Sequence, residues 1–286
     1  MRALVLGGHG FLGRSVVAAL RANGHAVEVG SRALRRTGSG LRVRRIRFEH
    51  HLCADAWSSA IEGVDVVVNC VGILRERGHE LWTPTYTGLG ERAHLASPDV
   101  NLDTHIEDVC ALLVMEDLRD IILVGHSYGG MVATGVADRE AARIKRLVYL
   151  DAFVPRDGQS ALDLHPPEMR ERIRSAVLNG DGWRLPPNPL PPDTPEEDVA
   201  WMSPRRRPQP AKTGEQPIRL TGAVERLPRT YIYCLRPRPG DVFRQFAERA
   251  RAEPGWQCLE IDTSHNPHIT APDALATMLD EIAAQM

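Results

Sequence analysis

Three side chains of this chain have the types and the order needed to break an acyl bond: Ser127, Asp151 and His265. A serine hydroxyl is a poor nucleophile unless a base takes its proton and the backbone holds it clear of the fold. The run Gly125-His126-Ser127-Tyr128-Gly129 meets the second condition. It follows the apolar stretch Ile121 to Val124 and precedes the helix-compatible stretch Met131 to Ala142. A sharp strand-to-helix turn of this kind raises the serine, and the flanking glycines leave room where Cβ atoms would clash. The Tyr128 N–H, at the start of the helix, is then aimed at the oxyanion of an acyl-transfer intermediate.

Asp151 ends the apolar strand Arg146 to Leu150, and His265 follows the strand Trp256 to Ile261 in a loop before a final amphipathic helix from about Asp273 to Ala284. The C-terminal ends of strands in an open parallel sheet line one crevice. Ser127, Asp151 and His265 are therefore expected to meet there as nucleophile, orienting carboxylate and general base. His265 is singled out from the chain's 11 histidines by position, and His268, three residues later, is the nearest alternative base.

From about Gly78 to the end, the chain resembles a bacterial α/β-hydrolase of the esterase and hydroxynitrile-lyase-like group. The resemblance rests on Leu81 to Arg92 (LWTPTYTGLGER), Val124 to Met131, Val148 to Asp157 (VYLDAFVPRD), Tyr231 to Cys234 and Ser264 to Pro272 (SHNPHITAP). It implies an α/β fold with a parallel, doubly wound sheet, and the order Ser, Asp, His is the one that family uses. It also implies a serine esterase working on a small ester through an acyl-serine, without a cofactor. One departure concerns the acid. Related enzymes often carry it after the strand that corresponds to Thr230 to Cys234, where this chain reads Leu235-Arg236-Pro237-Arg238-Pro239-Gly240-Asp241. Asp151 is the preferred acid, and Asp241, reached by a longer loop, is the alternative.

Residues 1–77 resemble a different family. The strand Met1 to Leu6, the turn Gly7-Gly8-His9-Gly10-Phe11-Leu12-Gly13, a helix from Arg14 to Asn23 and the strand Ala26 to Val29 look like the opening βαβ unit of an atypical short-chain dehydrogenase. In that reading Gly7, Gly10 and Gly13 let the backbone approach a pyrophosphate. Ser31-Arg32, with no acidic residue to take a ribose hydroxyl, points to NADP over NAD. Val64 to Gly72 resembles that family's fourth strand. The resemblance then stops: none of the five tyrosines is followed four residues later by lysine. The hydrolase part in turn lacks the strand ending in His-Gly that gives its family a further oxyanion N–H, a donor worth about 3 kcal/mol. The chain therefore reads as a chimera of a Rossmann-like segment, 1–77, and a hydrolase domain, 78–286, joined near Leu74 to Glu80. An NAD(P)-binding protein and a catalytically impaired fusion are the competing readings.

Both parents use right-handed βαβ units, so an N-terminal strand can fill the place beside Ile121 to Val124. Ala3 to Leu6 and Val64 to Cys70 are the two candidates, and the Gly7-Gly8 turn offers a substitute oxyanion N–H. After Asp151, the stretch Pro155 to Pro217 holds 13 of the 21 prolines and an amphipathic piece at Glu168 to Leu178, which marks a cap at about 155–220 over the crevice. Trp183, Trp201 and Met202 are its candidate pocket-lining residues. A net charge of −2 with 25% charged residues argues against a nucleic-acid or membrane-surface role. The five cysteines show no metal-ligand spacing. With no targeting segment evident, free thiols in the cytoplasm are expected.

Overall fold

The apolar strands around Ser127 and Asp151 form one parallel sheet in the computed structural model. It describes the backbone of 2–6, 26–31 and 42–45, and residues 74–75, 77–236 and 240–285 in full. The chain divides into two units, Met1–Glu62 and Gly63–Met286. In the first, β1 (Arg2–Leu6), β2 (Ala26–Ser31) and β3 (Arg42–Arg45) pair in parallel in the order β1-β2-β3.

The second unit carries β4 (Ile121–His126) and β5 (Ile144–Leu150), then the two-residue antiparallel pair β6 (Arg184–Leu185) and β7 (Gln209–Pro210), then β8 (Arg229–Cys234) and β9 (Trp256–Ile261). Its main sheet has the order β4-β5-β8-β9 and is parallel throughout. The helices are α1 (Leu102–Met115), α2 (Gly129–Arg139), α3 (Pro167–Leu178), α4 (Glu196–Met202), α5 (Lys212–Glu215), α6 (Arg244–Ala252), α7 (Pro267–Thr270) and α8 (Pro272–Ala284). None of them is long and apolar enough to cross a membrane.

Side chains alternate across a strand, and here both faces are covered. Leu147 and Tyr149 of β5 and Tyr231 and Tyr233 of β8 join the core formed with α1, α2 and α6. Val148, Leu150, Ile232 and Cys234 join a second core under α8, with Leu275, Ala276 and Ile282. A one-residue slip of either strand would exchange the two sets, so register is strongly specified. The α1 stripe Leu102, His105, Ile106, Val109, Cys110 and Leu113 has the spacing of one buried helix face. Asn101 starts that helix with a capping box, its side chain accepting from the Thr104 N–H at 3.0 Å.

The cap leaves the sheet after β5 and returns through a zipped neck. Gly158 N–H donates to the Ile218 carbonyl and Ile218 N–H to the Gln159 carbonyl, both at 2.9 Å. Leu220 N–H donates to the Asp157 carboxylate at 2.8 Å. Just beyond, the buried Asp138 of α2 accepts from the amides of Thr221 at 2.6 Å and Val224 at 3.1 Å. The cap itself is more helical than its proline content suggested, since α3 and α4 each start with proline at or next to the first turn, where a missing N–H costs nothing.

Of the two stretches offered for the place beside Ile121 to Val124, Ala3 to Leu6 falls in β1, which belongs to the first unit and pairs there with β2. Val64 to Cys70, the helix expected from Arg14 to Asn23, and Gly7, Gly10 and Gly13 lie outside the described residues.

Candidate active site

The turn after β4 puts Ser127 in a left-handed backbone conformation, φ +54°, which costs a residue with a Cβ about 1–2 kcal/mol. Hydrogen bonds hold it there. Ser127 N–H donates to the Leu150 carbonyl at 3.3 Å, and the Ser127 carbonyl accepts from Gly130 and Phe153, both at 3.1 Å. Glycine is required at 125, where a Cβ would lie 2.6 Å from the Gly129 carbonyl oxygen and 2.8 Å from the Ala133 Cβ. The second requirement falls at Gly130, not at Gly129. A Cβ on Gly130 would lie 2.2 Å from the Phe153 carbonyl oxygen, whereas one on Gly129 would meet only the Tyr86 hydroxyl at 3.6 Å.

Asp151 follows β5 with φ +44° and is fully buried. Its N–H donates to the Ile232 carbonyl at 2.7 Å, and its Oδ1 lies 3.4 Å from the Cys234 N–H. His265 Nδ1 is 2.7 Å from Asp151 Oδ2, and His265 Nε2 is 2.9 Å from Ser127 Oγ. A carboxylate only accepts, so Nδ1 carries the proton and Nε2 is left to accept from the serine. Asp241 lies elsewhere in the network, accepting from the Tyr233 hydroxyl and from the amides of Phe243 at 3.1 Å and Arg244 at 3.3 Å, where it caps the approach to α6. His268 is 2% exposed, and neither ring nitrogen has a hydrogen-bond partner among the described residues. Burial, then the charge of His265, lowers its pKa to about 4, which keeps the ring neutral.

Several residues around this chain of hydrogen bonds escaped the sequence reading. Phe243 stacks on the His265 ring, centroids 4.9 Å apart and planes 13° apart. The Tyr231 hydroxyl grips the residue after Asp151, donating to the Ala152 carbonyl at 3.0 Å and accepting from the Ala152 N–H at 3.1 Å. Tyr128 is anchored at its far end: its hydroxyl lies 3.0 Å from His105 Nδ1, and His105 Nε2 lies 2.9 Å from the Thr87 carbonyl. That carbonyl can only accept, so the neutral His105 protonates Nε2 and takes the Tyr128 O–H on Nδ1. Burial, the largest cause, brings the His105 pKa to about 4. Thr87 is held by Asp108, which also binds Arg92 at 2.7 Å. The Leu81 to Arg92 stretch thus supports the elbow from behind. The Tyr128 N–H itself, at the head of α2, meets no acceptor among the described residues.

Of the cap residues, Met202 is buried at 4% exposure, while Trp201 is 36% exposed with the Arg205 guanidinium 4.6 Å over its ring. Arg184 covers Trp183 at the same distance. Both indoles are thus engaged by arginines of their own neighbourhood.

Comparison with known proteins gives the family. The model of the alpha/beta hydrolase family matches residues 50–278, and that of the NAD dependent epimerase/dehydratase family matches residues 3–89. The carbendazim hydrolyzing esterase of Nocardioides sp. is 40% identical over 218 residues, 72% of this chain and 89% of that one. Methylesterase 17 of Arabidopsis thaliana is 27% identical over 193 residues, 59% of this chain and 68% of that one. Among solved structures, an extracellular alpha/beta-hydrolase from a Paenibacillus species matches with a TM-score of 0.65 and 25% identity, over 74% of this chain and 91% of that one. The chain belongs to the alpha/beta hydrolase family. It is a hydrolase of the serine carboxylesterase type, with a Rossmann-like N-terminal segment.

Proposed function

We propose that the protein hydrolyses a small-molecule ester through an acyl-serine, with Ser127 as nucleophile, His265 as general base and acid, and Asp151 as the carboxylate that orients His265. The observation that carries these roles is the unbroken chain of hydrogen bonds from Ser127 Oγ through both ring nitrogens to Asp151. His265 Nε2 takes the serine proton as Oγ attacks the carbonyl carbon, and the Tyr128 N–H stabilises the oxyanion. The same Nε2–H is then given to the departing alcohol. A water molecule, deprotonated by His265, releases the acid and restores Ser127.

The substrate class follows the esterase relatives, and carbendazim, for which the 40% identical Nocardioides esterase is named, is the first compound to assay. No cofactor, nucleic acid or membrane enters the reaction. The free thiols at Cys110 and Cys258 suit a cytoplasmic setting. The two inheritances of the chain meet at 74–80, inside the stretch 50–89 that both family models match. Labelling with a fluorophosphonate and mapping of the modified peptide tests the assignment. Label is expected on Ser127, and Ser127→Ala should lose both label and turnover, the latter by about 10⁶-fold. Label on another residue, or full activity in the variant, would remove Ser127 from its role.

A further inference from the structure

We infer that His126, the residue before the nucleophile, is a positioning residue that sets His265 against Ser127; the inference rests on the roles proposed for those two. His126 Nε2 lies 2.7 Å from the backbone carbonyl of His265. A carbonyl only accepts, so His126 carries its proton on Nε2 and donates it there. The two rings lie close as well, centroids 4.7 Å apart at 39°.

The need for such a bond follows from how the three loops of the site are tied. The turn at Ser127 is fastened to the Asp151 loop by main-chain bonds, Ser127 N–H to Leu150 and Phe153 N–H to Ser127. Asp151 is fastened to β8 in the same way. The His265 loop comes off β9, two strands further from β4 than β5 is. Its last main-chain ties to the sheet lie at Thr263, whose N–H donates to Ile261 at 2.9 Å and whose carbonyl accepts from Arg236 at 3.2 Å. Beyond Thr263, the bond from His126 is the hydrogen bond that joins the backbone of 264–266 to the elbow among the described residues. It runs from the residue next to Ser127 to the residue that bears the base, so any motion of one is passed to the other.

His126 is itself held. Its ring stands 5.0 Å from that of the buried His268, at 72°, on α7 just after the loop. Misplacement of a reacting group by about 1 Å can cost about 100-fold in rate, so a donor that fixes the His265 main chain acts on kcat and leaves the substrate pocket alone.

Three variants test this: His126→Gln, His126→Asn and His126→Leu. The Gln amide nitrogen reaches the place of Nε2 and can donate to the same carbonyl. Asn offers the same chemistry one methylene short, and Leu offers volume without a donor. Steady-state kinetics on p-nitrophenyl acetate and the rate of fluorophosphonate labelling should be measured, with circular dichroism melting as the check on folding. The Leu and Asn variants should lose about 10- to 100-fold in kcat with KM unchanged, and Gln should stay within about 3-fold of the parent. If Leu yields too little folded protein, the Gln and Asn pair decides. Equal kcat in all variants overturns the inference, as does a Gln variant as slow as Asn. Failure of the parent protein to label at Ser127 would instead sink the roles of Ser127 and His265, and this inference with them.

Discussion

Ser127 and Asp151 stand side by side at the ends of adjacent parallel strands and share a left-handed backbone, φ +54° and +44°. The register pairs His126 with Leu150, so the residue after each is carried to the same height above the sheet. The left-handed turn then sends each following segment away from the strand axis and leaves the side chain standing at the edge. One pair of strands thus places two of the three groups of the site, and the third has to be brought to them.

That placement separates the two carboxylates considered for the acid. Asp151→Asn should keep the fold and lower kcat by about 10⁴-fold, because an amide at this site no longer holds the Nδ1–H form of His265. Asp241→Ala should leave kcat within a few-fold while removing the acceptor for the Tyr233 hydroxyl and two amides, a loss of about 1–3 kcal/mol. Kinetics and chemical denaturation of the two variants side by side check both statements. A reversal of the two phenotypes would reassign the acid.

The glycines of the elbow are separable in the same manner. Gly130→Ala drives a Cβ into the Phe153 carbonyl and should cost about 3 kcal/mol, or prevent folding. Gly129→Ala adds a methyl group at ordinary contact distance from Tyr86. Its melting temperature should match that of the parent, and a large drop would show that the turn is tighter than described.

Two buried histidines tie stability to pH. His105 and His268 have folded-state pKa values of about 4, against an ordinary 6.5 for the unfolded chain. Between these values the unfolded state binds more protons, so stability falls as pH is lowered from about 6.5 to about 4. The expected slope is about 1.4 kcal/mol per pH unit for each ring. His268→Leu should remove one ring's share of the slope. Urea unfolding at several pH values in that window measures it, and an unchanged slope would mean that His268 takes up its proton without unfolding.

For the N-terminal segment the expectation is negative. The glycine turn is present in the sequence, but the tyrosine and lysine pair of the dehydrogenase family is not, so calorimetry with NADP should show no saturable binding in the micromolar range. Saturable binding there would give the segment a nucleotide-binding role of its own.

The sequence revealed most of the sheet because each of its strands is a short apolar run, and three of the four lead to Ser127, Asp151 and His265. Trp256 to Ile261 was read to the residue, and β4, β5 and β8 to within two. The order Ser127, Asp151, His265 was enough to bring the three together. Helices α1 and α6 were not anticipated. The Asn101 capping box announces α1, yet its buried stripe includes His105, a polar residue whose burial makes sense only beside Tyr128 and Thr87. Phe243 and His126 were missed for a related reason: what they do depends on a partner more than 20 positions away, and no local pattern encodes such a meeting. The misplaced glycine requirement has the same origin, since the atom that excludes a side chain at 130 belongs to residue 153.

The neck at 157–159 and 218–220 has a consequence for how this enzyme can change. Its two stems are bonded to each other, so the 58 residues between Gln159 and Ile218 form an excursion whose ends already meet. Lengthening a loop whose ends are fixed costs little, about 0.6 kcal/mol for each doubling. The cap can therefore be shortened, extended or exchanged for that of a relative while β5, β8 and the residues at their ends keep their places. A graft cut at 159 and 218, with the bonds of Lys212 to Asp99 and of Gln216 to Asp103 retained, is the natural unit for exchanging this segment.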